Sequence, residues 1–294
     1  MLESFNKNKS KSINAINNKI FTLTLWTLTT LVVFLILGLL IYILSKGLTK
    51  IDFDFLIDVP SEIDAGGGVG PFLFNSIIIL IISLIIAIPI GIGSGIYLSE
   101  YASKNRFTEL VRVCVENLAS VPSIVIGLFG YVLFVDIFEI GLTIIGAGIT
   151  LSILNLPVIT SVTEEALQAV DFDRREGSYA LGATKSQTIM RVLLPEALKG
   201  IISGISLASC RAFGESALIL LVGGTGTSGE MWDTNLYSQG GTLPVHLWYV
   251  QSEALVEDAA EIADKTSALL ILITLLLSLT IRIPLWIRDF RFRK

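Results

Sequence analysis

Residues 176–195 read EGSYALGATKSQTIMRVLLP, a polar and partly basic segment set between two long apolar runs. Its pattern predicts two short helical pieces with Gly182 between them, because glycine takes the left-handed backbone that ends a helix at little steric cost. Pro195 closes the second piece and suits the first turn of the next helix, where its missing N–H costs nothing. Taken on its own residues, the segment is an amphipathic connection between two apolar helices.

The runs on either side decide the environment. Of 294 residues 52% are hydrophobic and 16% charged, against roughly 25% charged in a soluble domain, and the mean hydropathy is +0.74. That balance indicates an all-α membrane protein that crosses the bilayer several times. A helical span needs about 20 apolar residues, and six segments qualify: roughly 20–45, 72–99, 117–135, 140–163, 200–222 and 266–287. The tight turn Asp136–Glu139 predicts an antiparallel hairpin of spans three and four. Ile20–Ser45 carries no charge and exceeds the roughly 7–15 apolar residues of a signal peptide, so it reads as a retained span. Cys114 and Cys210 have neither disulfide nor metal spacing and read as small buried hydrophobes.

Basic residues set the expected orientation, since inside loops are enriched in Lys and Arg. Placing both termini in the cytoplasm puts Lys7, Lys9, Lys11 and Lys19 inside, then Lys104, Arg106 and Arg112. The central loop follows with Arg174, Arg175, Lys185, Arg191 and Lys199, and the tail with Arg282, Arg288, Arg291, Arg293 and Lys294. Of 21 Lys and Arg, only Lys46, Lys50 and Lys265 fall outside, and Arg211 lies within span five. This assignment makes 176–195 cytoplasmic. The outside loops are acidic, with Asp52, Asp54, Asp58, Glu62 and Asp64 in one and Glu230, Asp233, Glu253, Glu257, Asp258, Glu261 and Asp264 in the other. They read as solvated surface or as part of a landing surface for an extracytoplasmic binding protein.

Other features are weaker. Residues 242–256, TLPVHLWYVQSEALV, are too short to cross and predict a re-entrant or surface-lying helix, with Trp248 and Tyr249 suited to the interface. His246 is the only histidine, so no metal or catalytic site is expected of it. The glycine-rich stretch 64–71 lacks the Gly-Lys-Ser/Thr ending of a phosphate loop and reads as a flexible approach to span two. Gly91 and Gly95 form a GxxxG pair suited to close helix packing. Pro89, Pro122 and Pro157 are expected to interrupt apolar helices.

Arg211 and Glu215 fall near the middle of span five, four residues apart and so on one face of an unbroken helix. One charge at such a depth costs about 2.5–3.5 kcal/mol or more. The two should therefore face the bundle interior, pair with each other or line a wet cavity. One reading is an internal pair that fixes packing. The other is an anion pathway, in which the guanidinium binds an oxyanion and Glu215 holds the Arg211 side chain in place.

The spacing in the opening segment resembles the EAA loop of ATP-binding-cassette import permeases. Glu176, Gly182, Leu194 and Pro195 match that pattern, with Gly177 and Ser178 in place of its two alanines and Val192 in place of its isoleucine. Further stretches resemble phosphate import permeases of the PstA type: IPIGIGSGIYLSEYA (88–102), VPSIVIGLFGYVLF (121–134), TEEALQAV (163–170), RAFGES (211–216) and TLPVHLWY (242–249). The resemblance runs through most of 71–290. It implies a type I ABC importer permease fold in a prokaryotic cell membrane, with six transmembrane helices. The expected parts are a tail over 1–19, a first span and acidic outer loop over 20–70, a five-helix core over 71–287 and a basic tail over 288–294. A coupling loop occupies 164–199 within the core.

The resemblance also implies the partners. A paralogous PstC-type permease would supply the other half of the pathway. Two copies of a PstB-type ATPase would bind beneath, a PstS-type phosphate-binding protein would dock outside, and inorganic phosphate would be the cargo. No nucleic acid is expected. The chain has no Walker A motif and is expected to be a transport subunit rather than an enzyme, binding no cofactor itself; ATP–Mg would sit on the ATPase. A permease for sulfate, molybdate or tungstate is the alternative. A secondary transporter would need internal repeats or midplane carboxylates, and neither a repeat nor a deep carboxylate besides Glu215 is evident.

Overall fold

A computed structural model of the chain describes residues 2–61, 66–103, 105–253 and 256–292, with side chains described from 17 to 283. Glu62, Asp64, Lys104, Arg293 and Lys294 lie outside the described residues, as do the side chains of Lys7, Lys9, Lys11, Arg288 and Arg291. The regular elements among the described residues are helices, with one isolated antiparallel bridge between Pro60 and Gly67. In order, α1 is Leu2–Gly47, α2 Phe53–Ile57, α3 Gly70–Ile96, α4 Arg106–Ala119, α5 Ser123–Tyr131 and α6 Ile144–Gln168. Then come α7 Phe172–Ala180, α8 Lys185–Thr188, α9 Leu194–Phe213, α10 Ala217–Val222, α11 Leu243–Ser252 and α12 Ala259–Phe292.

Five helical stretches among the described residues are long and apolar enough to cross a bilayer: Asn17–Lys50, Gly70–Tyr101, Ile144–Gln168, Lys185–Phe213 and Ala259–Ile283. A sixth crossing is possible only if Arg106–Ala119 and Ser123–Ile137 count as one, and they meet at 92°. The expected span 117–135 therefore straddles a corner. Pro122 makes the corner, since it disfavours helical backbone in Val121, and Pro122 itself is extended at φ −57°, ψ 134°. Before the corner α4 is amphipathic, with Phe107, Leu110, Val113 and Cys114 on its exposed side. Cys114 is thus exposed and Cys210 half-buried, contrary to the expectation that both are buried.

Pro89 and Pro157 also depart from expectation. Both lie inside unbroken helices, α3 and α6. A proline removes one ladder bond, but a packed neighbour in an apolar bundle leaves the backbone no better alternative than helix.

The bundle is held by small residues at helix crossings. A Cβ on Gly91 would sit 2.8 Å from Ile159, and one on Gly95 2.5 Å from Thr163, so α3 and α6 touch at backbone distance. Gly204 packs as closely on Val162, joining α6 to α9. The GxxxG reading of 91 and 95 holds. Gly93, between them, is exposed and meets nothing within 4 Å. Gly95→Leu is expected to destabilise the protein by about 1–3 kcal/mol through overpacking, while Gly93→Leu leaves it near wild type. Thermal unfolding in detergent compares the two.

Hydrophobic clusters divide the bundle along its length. Leu167, Val170, Ile189, Leu193, Ala197 and Ile201 pack at the end that carries α7 and α8. Ile79, Leu80, Leu151, Leu154, Ala212, Phe213 and Leu218 fill the middle. Phe55, Val69, Phe72, Leu243 and Val250 close the far end. The far end is pinned by polar contacts as well: Asn75 Nδ2 donates to the Gln239 and Gly241 carbonyls at 3.3 and 3.2 Å, and Ser76 Oγ accepts from Leu243 N at 2.8 Å.

Candidate functional site: the 176–195 loop and the break in span five

The loop folds as two helical pieces. Gly182 stands between them at φ +80°. Its N–H donates to Tyr179 O at 2.9 Å, and Ala183 N–H donates to Ser178 O at 3.2 Å. That crossed pair of bonds is the Schellman ending of a helix. The next piece starts on a capping box, in which Thr184 Oγ1 accepts from Gln187 N and Gln187 Oε1 from Thr184 N.

Pro195 does not close the second piece. Instead Lys185–Phe213 is one continuous helix. A wide turn over Ile189–Leu193, with Leu194 N–H donating to Ile189 O five residues back, carries the chain past the proline. Widening of this kind relieves the clash a proline ring makes with the carbonyl four residues earlier. Pro195 then occupies the first turn of α9, as its fixed φ favours.

Glu176 and Gly177 are exposed on α7, and Gly182 and Pro195 are exposed too. Leu181 is 91% exposed at the tip. Val192 and Leu194 are half-buried. Ser178 is buried, and its hydroxyl shares a 2.9 Å hydrogen bond with Thr188, holding α7 against α8. A small residue at 178 is what lets the two pieces touch. The arrangement is a two-helix knob whose solvent-facing side mixes Glu176 with the exposed Phe172, Tyr179, Leu181 and Met190.

Contacts that the sequence does not announce tie α7 and α8 to the bundle and brace the helix ends beside them. Past its last regular turn, α3 ends in a wide turn over Tyr97–Tyr101. There Glu100 Oε1 accepts from Arg175 Nη2 at 2.9 Å, and Arg175 also donates to Leu167 O at 2.7 Å. Arg112 of α4 makes the mirror arrangement, donating from Nε to Glu164 Oε1 at 2.6 Å and from Nη2 to Leu98 O at 2.9 Å. The Lys185 ammonium lies over the Tyr101 ring, 4.9 Å from its centre. Their only sequence signal is position: Glu100 and Glu164 stand where apolar helices α3 and α6 run out.

Span five differs from its expected form. Rather than one helix over 200–222, α9 stops at Phe213 and α10 begins at Ala217. Gly214 accounts for the stop: Glu215 N–H bonds to Ala212 O, tightening the last turn, and the chain leaves helical geometry. Arg211 sits in the last turn of α9 while Glu215 lies in the break, so they do not share a helical face. Arg211 is exposed and makes no ion pair or hydrogen bond among the described residues. Glu215 is half-buried, and its Oε1 accepts from Leu218 N at 3.5 Å, at the start of α10. An unpaired guanidinium therefore projects from the bundle at a gap in the backbone ladder.

The far end holds His246, 6% exposed in α11 against the Phe72 ring. Burial pushes its imidazole down to about 4, and its Nδ1 has no partner among the described residues. It is a neutral packing residue at the foot of an apolar helix that buries Leu243, Pro244, Val245 and Val250. Among the described residues no group of His, Cys, Asp and Glu could hold a metal ion.

Comparison with known proteins follows the same lines. Over 270 residues the chain is 38% identical to the probable ABC transporter permease protein YqgI of Bacillus subtilis, covering 88% of this chain and 91% of that one. It is 33% identical over 216 residues to the phosphate transport system permease protein PstA of Yersinia pestis, covering 73% and 72%. Among solved structures, the inward-facing MetNI methionine ABC transporter aligns with a TM-score of 0.55 at 22% identity, over 70% of this chain and 88% of that one. The fold is that of a type I ABC importer permease. Residues 87–293 match a single family description, and the chain belongs to that family, the binding-protein-dependent transport system inner membrane components, as a multi-pass permease subunit.

Proposed function

We propose that this chain is a PstA-type permease subunit that forms half of a phosphate pathway and is driven by a separate ATPase. The observation that carries the reading is Arg211. A permanently charged, planar donor stands exposed, without an ion pair among the described residues, in the last turn of a helix long and apolar enough to cross a bilayer. Leaving it so is costly unless something anionic or wet faces it in the assembled transporter. Similarity to proteins named PstA supports phosphate as that anion.

In this reading both termini and the 176–195 knob are cytoplasmic, and the exposed side of α7 around Glu176, Gly177 and Leu181 seats on a PstB-type ATPase that carries ATP–Mg. A PstC-type permease covers the face bearing Arg211, and a PstS-type binding protein delivers phosphate from outside. Alternating access follows: closure of two ATPase copies pulls the coupling loops together and opens the bundle outward, and hydrolysis returns it inward. Glu215 serves the pathway by capping α10 and fixing the gap beside Arg211. The acidic outer loop is partly committed within the chain, since Asp258 accepts from Gly66 N and Glu261 pairs with Lys50 and Lys265.

The test is uptake of labelled phosphate in cells lacking their own phosphate importer, with sulfate, molybdate and tungstate as competitors. Competition by unlabelled phosphate alone is the expected result. Equal or stronger competition by another oxyanion would reassign the cargo.

A further inference from the structure

Two arginines at the loop end of the bundle are wired in a crossed pattern. Each joins the backbone end of one long helix to a carboxylate on the other. Arg112, from α4, holds the Leu98 carbonyl at the end of α3 and the Glu164 carboxylate of α6. Arg175, from α7, holds the Leu167 carbonyl at the end of α6 and the Glu100 carboxylate beyond α3. The carboxylates are well covered, with Glu100 6% and Glu164 12% exposed in their side chains, and the arginines are 21% (Arg175) and 34% (Arg112) exposed. These are not surface pairs screened by water.

The geometry has a mechanical consequence. Carbonyls at a helix end lack ladder partners and carry partial negative charge, so each guanidinium brings a charged donor to a helix-end carbonyl and a carboxylate whose other partners are neutral: Val170 N–H on Leu167 O, Ser99 Oγ on Glu100 and Gln168 Nε2 on Glu164. Because the two bridges run in opposite senses, α3 cannot separate from α6 at this end without breaking both. Because Arg175 belongs to α7, the knob cannot move without drawing on α3 and α6 together. α3 and α6 also meet at backbone distance through Gly91 and Gly95.

We propose that Arg112 and Arg175, with Glu164 and Glu100, form a crossed clamp that transmits movement of the 176–195 knob to α3 and α6 as one body. They are positioning residues: they touch neither cargo nor nucleotide. The proposal rests on the reading of this chain as the coupled half of an ATP-driven importer.

The experiment uses the complete importer in proteoliposomes, with phosphate uptake and ATP hydrolysis measured together per assembled complex. Glu100→Gln and Glu164→Gln, nearly isosteric, each cut one bridge and should lower phosphate carried per ATP about tenfold, a coupling loss within the usual range for linked sites, while hydrolysis continues. Exchanging the charges in Glu100→Arg/Arg175→Glu should recover about half of the coupling, a response that a purely packing role does not give. An unchanged ratio in either single variant, or no recovery in the exchanged pair, overturns the clamp. A loss of assembled complex with an unchanged ratio per complex also overturns it. Failure of the underlying reading shows separately, as absence of ATP-dependent uptake in the unsubstituted complex, and takes the clamp with it.

Discussion

Arg211→Gln is expected to lower phosphate uptake by at least about tenfold, the cost of one charge-assisted hydrogen-bonding partner for an anion, while the protein still inserts and assembles. The structure explains why the two effects should part. Arg211 supports no ion pair or hydrogen bond among the described residues, so its charge can be removed without orphaning a partner. Glutamine keeps much of the stem that covers neighbouring apolar surface and drops only the charge. Uptake by cells expressing equal amounts of membrane-inserted protein measures the difference. Near-normal uptake would mean that the guanidinium serves packing or assembly instead. Lysine should restore part of the activity, since it returns the charge without the planar fork.

Gly182→Val is expected to separate hydrolysis from transport. No atom lies within 4 Å of the position a Cβ would take, so crowding plays no part. The cost comes from the backbone, held at φ +80°, where an L-residue loses roughly 1–2 kcal/mol and a β-branched one more. The Schellman ending would relax, turning α7 away from α8 and loosening the Ser178–Thr188 contact. Phosphate carried per ATP should fall about tenfold, within the range of measured coupling energies. Gly182→Asn tests the mechanism, because asparagine tolerates the left-handed region and should stay close to wild type. If valine and asparagine behave alike, backbone conformation at 182 does not govern coupling.

Much of this was readable in the chain itself, for identifiable reasons. Gly182 has a backbone preference that few environments override, so the end of the first piece was legible, whereas Pro195, expected to close the second, lies inside the continuous helix Lys185–Phe213. The long apolar runs were legible because bilayer thickness sets their length. Prolines were a poorer guide. Pro89 and Pro157 look like breaks by the habits of soluble helices, yet in an apolar bundle the helix continues through them. Pro122 does make a corner, and there the change from amphipathic α4 to apolar α5 is visible in the sequence once the corner is known. The stop at Gly214 was hidden because one glycine inside an apolar run does not usually end a helix. Beyond Gly214 the Glu215 carboxylate takes the Leu218 N–H, so the local backbone finds a side-chain partner outside the helical ladder. The crossed clamp was out of reach: Glu100, Arg112, Glu164 and Arg175 are scattered over 76 positions of sequence, and only the packing of α3 on α6 brings them together.

The picture that results separates two tasks along one segment of chain. In the proposed function, energy enters at the exposed side of the 176–195 knob, and cargo is met where α9 gives way to α10. The continuous helix Lys185–Phe213 joins them, uninterrupted because its wide turn absorbs Pro195.

The most direct test of this account is phosphate accumulation in proteoliposomes holding the complete importer, followed with ATP present and then with ATP replaced by a proton or sodium gradient. The account predicts accumulation that requires ATP and the ATPase subunit and is indifferent to either gradient. Accumulation driven by a gradient in the absence of ATP would contradict it.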